Sequence, residues 1–195
     1  MQQIYFITGN PAKITYANNI IKDFNIKFVQ KKLNIIEGRQ TSPKQVVIGK
    51  AQQAFQQFKQ PLVIEDSGIF IPALNGFPTT LIHFVEETIG LAGILKLMEG
   101  QSNRQAEFRS AMAYISPQHP QPVVFEEIDS GFTIATKIRP VSNTTFGQFD
   151  RILIPPNQNK TNSELSLEFR LKKQRQRKTQ THWYAFGKWF IQHKP

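Results

Sequence analysis

Short apolar runs alternate with amphipathic segments through the first third of the chain, and that alternation leaves few folds open. Residues 4–7 (Ile-Tyr-Phe-Ile) read as a buried strand. Thr8-Gly9-Asn10-Pro11 follows. Asn10 suits a helix N-cap and Pro11 the first helical position, so a helix is expected over residues 12–23. Residues 26–29 alternate as a second strand, and residues 33–36 either continue it or form another, ending at Glu37-Gly38. Ser42-Pro43 opens a second helix with Ser42 as N-cap and Val47, Ala51, Ala54, Phe55 and Phe58 as its core face. Residues 62–64 (Leu-Val-Ile) then form a third buried strand, bounded by Pro61 and by the polar residues that follow.

Beyond residue 68 the pattern changes. Ile69-Phe70-Ile71 pairs briefly before a turn-rich loop, Leu74-Asn75-Gly76-Phe77-Pro78. Thr79-Thr80 caps a helix over residues 81–88, Gly90 breaks it, and residues 91–98 make a second helical piece. Residues 108–115, 123–128 and 132–138 read as an antiparallel meander, with His119 exposed in the first turn. Residues 151–154 form a short strand closed by Pro155-Pro156. Asn162 or Ser163 caps a helix running into a basic block, and Thr181-His182-Trp183 begins a C-terminal helix packed through Tyr184, Trp189 and Phe190. A β-α-β-α-β opening followed by hairpins predicts an α/β fold built on a mixed sheet with flanking helices. The 195 residues suffice for one well-filled core, and with neither repeat nor linker a single domain over residues 1–195 is expected.

Composition narrows the chemistry. There is no cysteine, so disulfides and thiolate metal sites are excluded and a reducing, cytoplasmic setting is expected. The N-terminal apolar run is four residues long, which fits a first strand and not a signal peptide. No apolar run approaches the roughly 20 residues of a membrane span. A net charge of +10, from 24 Lys and Arg against 14 Asp and Glu, suits an anionic partner such as a nucleotide or nucleic acid. Its densest block is residues 170–178 (RLKKQRQRK).

Two stretches could carry chemistry. Thr8-Gly9-Asn10 stands between a strand and a helix N-terminus, where backbone N–H groups and the positive dipole end favour an anion, and Lys13 lies in the first turn. A capping turn with a surface lysine is an equally good reading of those residues. Ile64-Glu65-Asp66-Ser67-Gly68 places two carboxylates at the end of a buried strand, where α/β sheets bind ligands and where carboxylates can hold Mg²⁺ against a phosphorylated substrate. Taken alone, these five residues read more simply as a strand entering a turn.

Taken in order, Thr8-Gly9-Asn10-x-x-Lys13, Glu37-Gly38, Lys50-Ala51, Glu65-Asp66-Ser67-Gly68, Ala73-Leu74-Asn75-Gly76-Phe77-Pro78, Gly131, Phe149-Asp150, Glu164-Leu165 and Thr181-His182 resemble the inosine triphosphate pyrophosphatase family over nearly the whole chain. The resemblance implies an elongated mixed-sheet protein with two lobes around a nucleotide cleft, usually a homodimer. It implies Mg²⁺-dependent hydrolysis of ITP, dITP and XTP to the monophosphate and pyrophosphate. Carried over by position, Thr8, Gly9, Asn10 and Lys13 would hold the phosphates, Lys50 would add charge beside them, and Ser67 would complete that part of the site. Glu37 and Asp66 would bind the metal, with Asp66 also activating water. Phe149 would stack on the base, Asp150 would complete that loop, and Thr181 and His182 would reach the base edge. His83 stands where some relatives have Lys, and Arg177 matches the family's late lysine.

The chain departs from the pattern at Tyr16 in place of Glu, Trp183 in place of Arg, Gln148 in place of Gly, Arg151 in place of Pro and Thr79 in place of Gly. These changes fall mainly on the base-reading half. They open a second reading, a weakly active or inactive relative that binds nucleotide or nucleic acid through the basic block and its neighbouring aromatics. Membrane attachment is not expected.

Overall fold

In the computed structural model, which describes residues 1–36, 38–141 and 147–193, apolar alternation on the strands sets the architecture. The strands are β1 (Gln2–Ile7), β2 (Ile26–Lys31), β3 (Leu62–Phe70), β4 (Pro78–Thr79), β5 (Gln105–Ile115), β6 (Val123–Ile134) and β7 (Leu153–Ile154). The helices are α1 (Pro11–Ile21), α2 (Pro43–Phe58), α3 (Ile82–Glu87), α4 (Gly90–Leu97), α5 (Leu167–Arg177) and α6 (His182–Gln192). One seven-stranded sheet has the order β2-β1-β3-β5-β6-β7, with β4 added beside β3. It is mixed: β1 pairs in parallel with β2 and β3, while β4 and β7 pair antiparallel with β3 and β6.

The chain forms two compact units. The first comprises Met1–Ser67, Ser110–Glu127 and Lys178–Pro195. Odd and even strand positions there face different helices, as a period of two requires. Ile4, Phe6, Val63, Met112 and Tyr114 pack with Ala17, Ile20 and Ile21 of α1 and with Trp183, Phe186 and Phe190 of α6. Ile7, Leu62, Ile64, Ala111, Ala113 and Ile115 pack instead with Val47, Ala51 and Ala54 of α2. The second unit comprises Gly68–Arg109 and Ile128–Arg177, with a core that includes Ile69, Ile71, Val85, Ile94, Met98, Phe132, Ile134 and Phe149. Among the described residues no helix is long and apolar enough to cross a membrane.

Four expectations are corrected. Residues 33–36 form no strand: Gln53 of α2 accepts from Ile36 N–H through Oε1 and donates to Ile36 C=O through Nε2, both at 3.1 Å, and Gln57 donates to Asn34 C=O at 3.1 Å. These side chains take the place of a strand neighbour, while Leu33 and Ile35 pack on the core. The Asp129-Ser130-Gly131 turn expected between two strands is absent, and β6 runs straight through it. Gly131 takes φ +85, and a Cβ there would lie 3.0 Å from Pro156 Cγ. Thr79 does not cap α3: it takes φ 57 and its hydroxyl bonds Pro78 C=O at 2.6 Å. Neither Asn162 nor Ser163 caps the basic helix. Thr161 and Glu164 close a capping box around a short 3-10 turn there, and Ser166 Oγ accepts from Phe169 N–H at the start of α5.

Candidate active site

The Thr8–Asn10 turn is built by its own side chains. Thr8 Oγ1 accepts from Asn10 N–H at 3.1 Å, and Asn10 Oδ1 accepts from Ala12 N–H at 2.9 Å, the expected N-cap of α1. Gln30 Nε2 donates to Thr8 C=O at 2.9 Å and ties the turn to β2. Space is open where a Cβ on Gly9 would stand. Lys13 leaves the first turn of α1 and places Nζ 2.6 Å from Glu65 Oε2.

The Glu65-Asp66-Ser67-Gly68 stretch is not a turn. β3 continues through it to Phe70. Gly68 makes this possible, because a Cβ there would come within 2.5 Å of the Thr79 carbonyl oxygen. The missing side chain lets β4 lie against β3, where Ile69 and Phe70 pair with Thr79 and Pro78. Since the stretch is extended, its two carboxylates point to opposite faces of the sheet. Glu65 continues the Val63 side, toward α1 and Lys13. Asp66 continues the Ile64 side, toward α2, where Lys50 Nζ meets Oδ2 at 2.7 Å. The other oxygen, Oδ1, accepts from Ser67 N–H at 2.7 Å. Adjacent residues thus hold separate cations on separate helices.

The remaining expected residues lie as follows. His182 is 4% exposed at the first position of α6; its Nδ1 lies 2.9 Å from Glu127 Oε2. Thr181 caps α6, accepting from Tyr184 N–H at 3.2 Å and donating to Lys178 C=O at 2.8 Å. Phe149 is 3% exposed and sits in the second unit's core, so the ring expected to stack on a base anchors its own loop instead. Asp150 is also buried and pairs with Arg170 at 2.9 Å and Asn162 at 3.1 Å. His83 is exposed, with Nδ1 3.3 Å from Glu86. Arg177 is bound to Asp129. Glu37 lies outside the described residues. Trp183, at the family's arginine position, is a core residue between Phe6 and Phe28, with ring centroids 5.1 and 5.2 Å away.

Sequence reasoning missed three partners: Glu65 for Lys13, Arg170 for Asp150 and Glu127 for His182. The first was available from strand alternation. The other two bring together residues 20 and 55 positions apart, and no local signal marks them. Among the described residues no three or more His, Cys, Asp or Glu side chains gather as a metal cage. The basic block is largely occupied: Arg170, Arg177 and Lys178 pair with Asp150, Asp129 and Asp23, and Lys173 Nζ lies 4.5 Å from the centre of the Phe132 ring. Burial pushes the Lys173 amine below its usual range.

Comparison with known proteins adds a family. A family model described as the Ham1 family matches residues 4–180. A dITP/XTP pyrophosphatase of Methanopyrus kandleri is 37% identical over 170 residues, covering 87% of this chain and 88% of that protein. One from Ignicoccus hospitalis is 34% identical over 168 residues, covering 86% and 87%. Among solved structures, a HAM1 protein from Coxiella burnetii superposes with a TM-score of 0.78 at 21% identity, covering 99% of this chain and 100% of that one. That last likeness concerns the fold.

Proposed function

The chain belongs to the Ham1 family, and from that premise we propose that it is a nucleoside triphosphate pyrophosphatase acting on deaminated purine nucleotides such as ITP, dITP and XTP. Water adds across the α–β phosphoanhydride, giving the monophosphate and pyrophosphate. The names of the relatives support the substrate class. The observation that carries the site is the pair of lysine–carboxylate contacts on adjacent residues of β3, beside the Thr8–Asn10 turn's own strand.

In this reading each residue has a distinct task. Asp66 accepts the proton of the attacking water, and Lys50 with the Ser67 N–H fixes its carboxylate in one orientation. Lys13 and the turn of Thr8, Gly9 and Asn10 receive the phosphates, with Glu65 keeping the Lys13 ammonium in place. Magnesium fits this donor set. It binds through one or two carboxylates together with substrate phosphates, not in an all-protein cage, and Asp66 offers hard oxygens. Asp66 and Glu37 would hold it. When bound, it would neutralise charge on the phosphates. A homodimer in the cytoplasm belongs to the same reading.

A pyrophosphate-release assay over ITP, dITP, XTP and the ordinary triphosphates with Mg²⁺ tests it. Turnover of the deaminated substrates should fall by on the order of 10²–10⁴ in Asp66→Asn. No turnover of any of these nucleotides, or unchanged activity in that variant, rejects the reading. Occupation of most of the basic block by acidic partners and an aromatic ring weighs against the nucleic-acid alternative. Salt-sensitive binding of oligonucleotides would restore it.

A further inference from the structure

The His182 imidazole is the least satisfied polar group near the start of α6. Its Nδ1 is 2.9 Å from Glu127 Oε2, and the same oxygen receives the His182 backbone N–H at 3.3 Å. Its other nitrogen, Nε2, is buried with no hydrogen-bond partner. Buried polar atoms are nearly always paired, and the exceptions in folded proteins call for an explanation. Water cannot supply the missing bond here, because the atom is closed off from solvent. Only a group that enters the site can.

The chemistry of the dyad says which group that is. An ionised carboxylate can only accept, so Glu127 requires the proton of a neutral imidazole to sit on Nδ1. Nε2 is then a bare lone pair. The carboxylate itself is held at the N-terminus of α6 by the His182 N–H, where negative charge is favoured. Ring orientation and tautomer are therefore fixed together, by a strand residue far away in sequence.

We propose that Glu127 is a positioning and specificity-determining residue that presents His182 Nε2 as an acceptor for the N1–H of a 6-oxopurine. This rests on the reading above, in which His182 faces the base. Deaminated purines carry a proton on N1; adenine carries a lone pair there, which would oppose the lone pair on Nε2. A site that offers an acceptor rejects a ligand lacking the donor, because its buried polar atom stays unmatched.

Two measurements on the full chain test the proposal. Long-range ¹H–¹⁵N NMR of the histidine ring nitrogens should show His182 as a neutral ring protonated at Nδ1 near neutral pH. Glu127→Ala should lose that fixed tautomer, and Glu127→Gln should keep it in part, since the amide oxygen can still accept. Titration calorimetry with IMP and AMP should show wild type preferring IMP. The preference should shrink roughly tenfold in Glu127→Ala and less in Glu127→Gln. A ring protonated at Nε2, or a doubly protonated ring, in the wild type overturns the proposal. So does an IMP preference unchanged in a folded Glu127→Ala protein, or an IMP preference absent from wild type. Should Glu127→Ala fail to fold, the wild-type spectrum and the Glu127→Gln preference decide the matter. Neither measurement needs turnover, so failure of triphosphate hydrolysis with the IMP preference intact would reject the enzymatic reading alone.

Discussion

Asp150 and Arg170 are both about nine-tenths buried, and each is the other's counter-ion at 2.9 Å. Charge taken out of water is tolerated only with a partner, so losing one member strands the other. Arg170→Ala should therefore destabilise the fold by roughly 3–5 kcal/mol in urea unfolding, far more than removal of an exposed arginine would. Single residues also explain where motif reading went astray. Gly68 was legible as a turn former, yet it serves as a gap in a strand that admits the Thr79 carbonyl. Phe149 was legible as an aromatic in a loop, yet its burial depends on a core assembled from β3, α3, α4 and β6, which no local window contains.

At the scale of elements, α2 does more than cover the sheet. Lys50, Gln53 and Gln57 recur at helical spacing along it, and they hold Asp66, Ile36 and Asn34 respectively. The two glutamines supply the backbone bonds that residues 34–36 would otherwise find on a neighbouring strand. Gln53→Ala should raise the hydrogen-exchange rate of the Ile36 amide by about tenfold, corresponding to a lost bond of about 1 kcal/mol, with little change elsewhere in α2. The helices, the first three strands and the caps at Asn10 and Thr181 were all legible, because local periodicity and capping chemistry specify them. The fate of residues 33–36 was not. An apolar alternating tetrapeptide looks the same whether its amides meet a strand or two glutamine side chains.

For the molecule as a whole, acid sensitivity has a traceable component. Glu164 is held below its usual range, chiefly by the Thr161 backbone N–H, with the Thr161 hydroxyl and the charges of Arg139 and Lys160 assisting. A depressed carboxyl contributes stability above its unfolded value, near 4.5, and loses it as pH falls through the lower folded value. Stability curves of wild type and Glu164→Gln should therefore converge below about pH 4.5 and separate above it, with wild type the more stable. The sheet makes a further demand. Glu65 and Asp66 are covalent neighbours, yet their lysines come from helices on opposite faces and share no carboxylate. In double-mutant cycles read by unfolding, Lys13 should couple to Glu65 and Lys50 to Asp66, while Lys13 and Lys50 should be additive within about 0.5 kcal/mol. Sequence adjacency then carries no energetic adjacency. Each cation could be exchanged or lost without retuning the other, which lets the two halves of the phosphate machinery vary independently across relatives.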